Sequence, residues 1–453
     1  MFARARGVGN VSDRRPNDGL RRLLAESRWT YSQLAMAVNR TGTQAGAPLK
    51  YDATSVHHWL GGTVPKSSVR PLVREALTRK LGRPVTYMEM GFPSPKDQAA
   101  KPVDTVDGLM DLGRIDIDPS RRGVLGAALF SVALTIPGWQ DVIGRADAIQ
   151  SGRTSRIGWP EVDMVVAMTE RVSELDDLFG GRHARPMAAT FMVNTVGQYL
   201  KADAPEDVRK GMLSAAADLS YLTGYMAVDE GYHGLAQEYY LKALELAGAA
   251  QDHLTYCTTL RGMSLQAVDL QHAVHAMRLA DAAAAASPAA GPRMRAFLAG
   301  QQAHSAAQVG DRQHALTYIK EAEVAMEKAE AEEKAFGSYG PSSLLYHISQ
   351  VKYGLGDVHG CIASMQESQR LRRSDHRRTR VRYQSLLAER QIEVGHLEAA
   401  CATWDGVLDD YPLVHSGACD DRVKKMRTLI RPHLRNGNAR QLYERSETMK
   451  RST

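Results

Sequence analysis

Four cysteines in 453 residues, Cys257, Cys361, Cys401 and Cys419, stand far apart with no CxxC pair among them. Such spacing excludes a zinc ribbon and a secreted disulfide scaffold, and it fits a reducing cytoplasm. Long apolar runs are also missing: none reaches the roughly 18 to 20 residues that span a bilayer, so no membrane helix is expected. The signatures GxxxxGKS/T, GxSxG and HExxH do not occur. His272 and His275 have no Cys or acidic partner placed to complete a metal site. Asp176-Asp177 and Glu332-Glu333 read as solvated acidic pairs, with no apolar pocket to raise either pKa. The chain is therefore expected to be a non-enzyme without cofactor or metal.

The composition that remains, 43% hydrophobic and 24% charged, is that of ordinary globular proteins, and the length suits more than one domain. Charge is unevenly spread. Residues 1–92 hold 15 Lys+Arg against 6 Asp+Glu, a balance of +9, while the rest of the chain balances to −3. A basic terminal module on a near-neutral body is the pattern of nucleic-acid binding, because Lys and Arg release counterions from phosphates.

Within the basic part, Leu20, Leu23 and Leu24 give the apolar face of a first helix ending near Ser27. Thr30 caps a second, with Leu34, Ala35 and Val38 inward, which stops near Asn39 to Gly42. Asp52 caps a third, burying Val56, Trp59 and Leu60, and Gly61-Gly62 ends it. A fourth covers Ser68 to Leu81. Thr30-Tyr31-Ser32-Gln33-Leu34-Ala35 and Thr54-Ser55-Val56-His57-His58-Trp59-Leu60 resemble the second and third helices of the Xre type of helix-turn-helix domain. The resemblance implies that the helix beginning at Thr54 enters the major groove. Thr54, Ser55, His57 and His58 are then expected to contact bases, and Arg40, Lys50, Lys66 and Arg70 to hold phosphates. One departure is that Val56 stands 21 positions after Ala35, a loop in place of that family's tight turn.

Residues 93–120 read as a linker, opening with Pro93-Ser94-Pro95 and turning acidic. Residues 121–150 begin with a twin arginine and an apolar run, Val124 to Ile136. This segment has the look of an export signal. Its place after a basic domain favours an apolar connecting helix, buried between domains or in a dimer seam.

Residues 151–453 show helical periodicity and a recurring pattern: Gly231, Ala236, Tyr240 and Ala243; Gly310, Ala315, Ile319 and Ala322; Gly356, Cys361, Met365 and Ser368; Gly395, Ala400, Trp404 and Val407. A further unit at Ala273, Met277 and Ala280 reads as shortened at its turn. The pattern resembles tetratricopeptide repeats, with Leu408 and Pro412 in the last copy. That resemblance implies an all-α solenoid with Tyr221, Tyr225, His304, Tyr346, Gln350, Arg382 and Glu389 on its concave side, suited to a peptide or small-molecule ligand.

The expected fold class is thus all-α, an N-terminal helix-turn-helix domain followed by a tetratricopeptide-like α-solenoid. Tyr51 to Leu60, Leu81 to Thr86, the twin-arginine segment and Leu175 to Gly181 make the chain similar to actinomycete transcription regulators of the NsdA-like kind, negative regulators of sporulation and antibiotic production. The resemblance implies a cytoplasmic homodimer that binds double-stranded DNA as a repressor and senses a ligand through its repeats. The rival expectation is a tetratricopeptide scaffold or adaptor with vestigial DNA binding.

Overall fold

The computed structural model describes residues 16–44, 48–81, 85–93, 104–117, 156–286, 290–329, 339–372 and 376–449. The expected connecting helix at 121–150 and the pair Glu332-Glu333 lie outside them. The described residues are all-helical, apart from a single bridge between Arg156 and Asp203. None of these helices is long and apolar enough to cross a membrane. They form two compact units, residues 16–93 and residues 104–449.

The first unit contains α1 (Asp18–Ser27), α2 (Tyr31–Gln44), α3 (Ala53–Leu60) and α4 (Arg70–Leu81). Asn17 caps α1 by accepting from the Leu20 amide at 2.9 Å. Thr30 and Gln33 cap α2 reciprocally, each side chain accepting the other's backbone N–H. The core draws on all four helices, through Leu20, Leu34, Val56, Trp59, Val73 and Leu77, and Met90 and Phe92 of the closing segment join it. Burying aromatic and aliphatic side chains from every element is what lets four short helices hold together, at roughly 25 cal/mol per Å² of apolar surface.

Helix α2 runs beyond the stop expected at Asn39 to Gly42, because Asn39 does not act as a terminator. Its side-chain amide donates to the Tyr51 carbonyl and accepts from the Tyr51 amide, both at 2.8 Å. Thr41 and Gly42 are buried in the extra turn.

The second unit opens with α5 (Thr105–Ile117), which corrects the linker expected at 93–120. Val106, Leu109 and Leu112 form its buried face, a threefold spacing hidden in the sequence among aspartates. It packs closely on α7 (Gly181–Phe191): a Cβ on Gly113 would strike the Val193 side chain just beyond α7's end. Asp116 at its end pairs with buried Arg185 and accepts from the Tyr239 hydroxyl at 3.1 Å.

After α6 (Trp159–Phe179) and α7, antiparallel pairs follow in order. They are α8 (Glu206–Asp229) with α9 (His233–Ala250), α10 (His253–Asp269) with α11 (Ala273–Ala285), α12 (Pro292–Gln308) with α13 (Arg312–Glu327), α14 (Pro341–Gly354) with α15 (Val358–Arg370), and α16 (Arg377–Glu393) with α17 (Leu397–Asp410). Two further helices, α18 (Gly417–Ile430) and α19 (Gly437–Thr448), end the described chain.

Four pairs turn at a left-handed glycine: Gly231, Gly310, Gly356 and Gly395, with φ between 77° and 86°. In the second pair Gln271 takes this position at φ 64°. The pair is therefore not shortened at its turn. Its buried small residue is Ala276, five positions beyond the left-handed residue as in the other pairs, and the register expected at Ala273 moves by three.

Helices near the two ends of this unit meet. The guanidinium of Arg378 on α16 contacts Asp176 and Asp177 on α6 and Asp229 on α8. His415 donates its amide to the Phe179 carbonyl at 2.6 Å, and Arg182 bridges Glu230 and Asp420. Asp176 and Asp177 are thus no solvated pair. Burial raises the Asp176 pKa to about 7 against the pull of Arg378, whereas for Asp177 the cost of burial is outweighed by His376 and Arg378, which lower its pKa.

Candidate functional site

Two surfaces carry the residues singled out by the sequence, one in each unit. In the first, Asp52 accepts from the Ser55 amide at 2.8 Å, and this cap fixes the start of α3. With Val56, Trp59 and Leu60 committed to the core, helical geometry turns Thr54, His57 and His58 outward, and all three are exposed. Their side chains make no hydrogen bond or ion pair with any described residue, and the same holds for the exposed Arg40, Lys50 and Lys66. The His57 ring lies 6.4 Å from that of Tyr31 at the start of α2, so the two helices present a joint polar edge.

Two expected contacts are committed elsewhere. The Ser55 hydroxyl donates to Asp52 at 2.8 Å and completes the capping box, so its main task is to hold the helix end. Arg70 donates from Nε to the Pro65 carbonyl at 2.9 Å and from Nη1 to the Pro93 carbonyl at 3.1 Å, which makes it a strap across the unit. Neither is available for DNA to the extent expected.

In the second unit the first helix of each pair faces a shared interior. Tyr221 and Tyr225 on α8 stack at 6.5 Å, and Arg378 lies 5.2 Å over the Tyr225 ring. Tyr346 on α14 stacks on Tyr383 of α16 at 3.9 Å with the rings 2° from parallel. Arg382 sits one residue before Tyr383, partly buried, and its charge is felt by Tyr346, Asp269 and Tyr383. Gln350 donates to Ser349 at 3.2 Å, at the edge of this set.

His304 is buried in the same interior, and burial together with the Arg261 charge lowers its pKa to about 4. It is a neutral side chain at physiological pH. Its neighbour His347 is neutral too, pushed well below its usual pKa by burial and Arg261. Arg261 Nη2, which can only donate, is 3.2 Å from His347 Nε2, so Nδ1 carries the proton and donates to the Tyr339 hydroxyl at 2.9 Å.

Glu389 does not serve the interior as a free carboxylate. It is buried and taken up by Arg422 at 3.0 Å and Lys425 at 2.6 Å, both on α18. The sequence reading missed Arg261 and Asp269 because they belong to α10, the helix whose pair it set out of register. It missed Tyr383 because the repeat pattern admits one inward residue per turn, and here Arg382 and Tyr383 both reach the interior.

The four cysteines are free and buried, and no group of three or more His, Cys, Asp or Glu among the described residues is arranged to hold a metal ion. What the fold and sites define is an all-helical protein with a small basic unit and a larger helical body. A family model described as the SP15 N-terminal domain matches residues 20–93, from α1 to the end of the first unit. No curated protein matches the chain.

Proposed function

We propose that the protein is a sequence-specific DNA-binding transcription regulator, a repressor in the manner of the actinomycete regulators it resembles. Its first unit acts as a helix-turn-helix domain, and its second, a tetratricopeptide-like solenoid, dimerises and senses a ligand. The observation that carries this reading is the outward face of α3. Thr54, His57 and His58 stand exposed on a capped helix whose other side is core, and Arg40, Lys50 and Lys66 stand exposed in the same basic unit. Short polar and imidazole side chains on a helix match the hydrogen-bonding edges of bases in a major groove, and the basic groups match phosphates.

Selection of random double-stranded DNA on the purified full chain, followed by sequencing, tests it. A shared motif is expected. Thr54→Ala or His57→Ala then weakens binding to that motif by about 1–3 kcal/mol while Lys66→Ala weakens every DNA alike. Retained DNA with no shared motif, or retention that vanishes at modest salt, overturns specific readout. The scaffold or adaptor reading would then stand, favoured by the use of Ser55 and Arg70 inside the unit and by the long connection that Asn39 pins to Tyr51.

A further inference from the structure

The helical body has a cavity of about 250 Å³ between the segment ahead of α6, the segment that follows α7, the first turns of α8 and the end of α9. None of the residues expected on the concave side of the repeats lines it. Ile157, Leu200, Met212 and Leu213 give it buried apolar walls. The space equals the liquid volume of about eight waters, which suits a small organic molecule and is too small for a peptide. The walls are held from behind: Met110 of α5 packs where a Cβ on Gly197 would stand, Lys201 contacts Asp107 of α5, and the Ile157 amide donates to the Asp203 carbonyl at 3.0 Å. Tyr199 and Leu200 follow closely on Met192–Val196, the one π turn among the described residues, an irregularity frequent at functional sites. A cavity so held needs little reordering to take a ligand.

The charged residues on the lining, Glu206, Arg209 and Lys210, do not balance. Lys210 Nζ lies 3.0 Å from a Glu206 carboxylate oxygen, so these two neutralise each other. Arg209 is left over: it is half-buried, and its guanidinium forms no hydrogen bond or ion pair with any described residue. The hydroxyl of half-buried Tyr199, also on the lining, is likewise unengaged among the described residues. A guanidinium presents paired donors in one plane to a carboxylate, and a phenol adds another donor. Apolar walls with one uncompensated cation and one hydroxyl fit a ligand that has an uncharged body and a single carboxylate.

We propose that this cavity binds a small monocarboxylic acid, with its carboxylate taken by Arg209 and the Tyr199 hydroxyl and its apolar body lying against Leu200, Met212 and Leu213. Inorganic anions lack the body that these walls cover, and neutral apolar molecules leave Arg209 unused. The site goes beyond the regulator reading and does not depend on DNA binding.

The test uses the full chain with hexanoate and benzoate, the corresponding amides hexanamide and benzamide, and acetate, by calorimetry and by the shift in Tm. At least one of hexanoate and benzoate is expected to bind at millimolar concentration or below, with its amide about tenfold or more weaker and acetate not measurable. Arg209→Gln, which removes no contact among the described residues, is expected to fold as the unaltered chain does and to bind acid and amide alike. Ala249→Phe, which fills the cavity from α9, is expected to abolish binding of both.

Equal binding of acid and amide to the unaltered chain, binding of neither acid, or acetate bound as tightly as hexanoate and benzoate overturns the proposal. So does an Arg209→Gln variant that still prefers the acid, since the carboxylate is then held elsewhere on the chain. An Ala249→Phe variant that folds and binds hexanoate or benzoate unchanged shows that the cavity is not the site. Should Ala249→Phe fail to fold by circular dichroism, Arg209→Gln and the amides decide the matter.

Discussion

Arg378 Nη2 lies 2.8 Å from a carboxylate oxygen of Asp176, with both side chains almost wholly buried, and this contact joins α16 to α6 near opposite ends of the helical body. Burial opposes the Arg378 charge, but Asp176, Tyr225, Asp229 and Asp177 hold its pKa well above the usual value. Breaking such a cluster from the cationic side leaves carboxylates facing one another in a desolvated site. Arg378→Met is therefore expected to destabilise the helical body by about 3–5 kcal/mol. Asp177→Asn removes a partly exposed partner and is expected to cost about 1 kcal/mol or less. Urea unfolding followed by far-ultraviolet circular dichroism separates the two, and equal midpoints would show that Arg378 closes nothing.

Asp218 on α8 gives the body a dependence on pH. Burial raises its pKa to about 7, although Thr255 Oγ1, which donates to it at 2.7 Å, acts in the opposite direction. The same hydroxyl lies 2.8 Å from Asp252, and one hydroxyl proton cannot serve two carboxylates at once. The folded state keeps a proton on Asp218 that the unfolded chain releases near its ordinary value. Stability is accordingly lost as pH rises from about 4 through about 7, and the loss is complete above that range. Asp218→Asn is expected to show a Tm advantage over the unaltered chain that grows between pH 5 and pH 8. A constant difference across that interval would mean that Asp218 is ionised throughout.

The all-helical fold was legible because buried positions recur at helical spacing. Trp59, Ala236, Ala315, Cys361, Ala400 and Trp404 are all buried as their patterns predict. What escaped was set by features that spacing does not encode. Helix α5 hides three apolar residues among aspartates, one of which, Asp116, is buried against Arg185. Gln271 occupies a backbone conformation that sequence assigns to glycine. Of the candidate site residues, Tyr221, Tyr225, His304, Tyr346 and Arg382 do reach the interior. Glu389 was misjudged because its partners, Arg422 and Lys425, come from a helix beyond the repeat pattern. Ion pairs across distant segments leave no periodic trace.

On the first unit, the capping box separates holding from reading. Ser55→Ala is expected to lower the Tm of the basic unit and to weaken binding to every DNA in parallel, since it loosens the start of α3. Thr54 is exposed and unengaged, so Thr54→Ala is expected to leave Tm unchanged while altering affinity for the selected site only. Differential scanning of both variants, with binding to selected and scrambled DNA, distinguishes the roles. A selective loss of the selected site on Ser55→Ala at unchanged Tm would restore Ser55 as a base contact.

Gln271 offers a test of the corrected register. Its φ of 64° crowds Cβ against the backbone, a conformation that costs an L-residue roughly 1–2 kcal/mol relative to the right-handed region. Glycine adopts it freely but adds entropy to the unfolded chain, so Gln271→Gly is expected to gain about 0.5–1 kcal/mol net. The converse is Gly310→Ala at φ 81°, where an added Cβ meets nothing within 4 Å. Any loss there comes from the backbone alone and is expected to be about 1–2 kcal/mol. If the two turns are equivalent, the substitutions move the urea midpoint in opposite directions. A loss on Gln271→Gly would instead mean that the glutamine side chain supports its turn, and that the second pair differs from the other four in more than one residue.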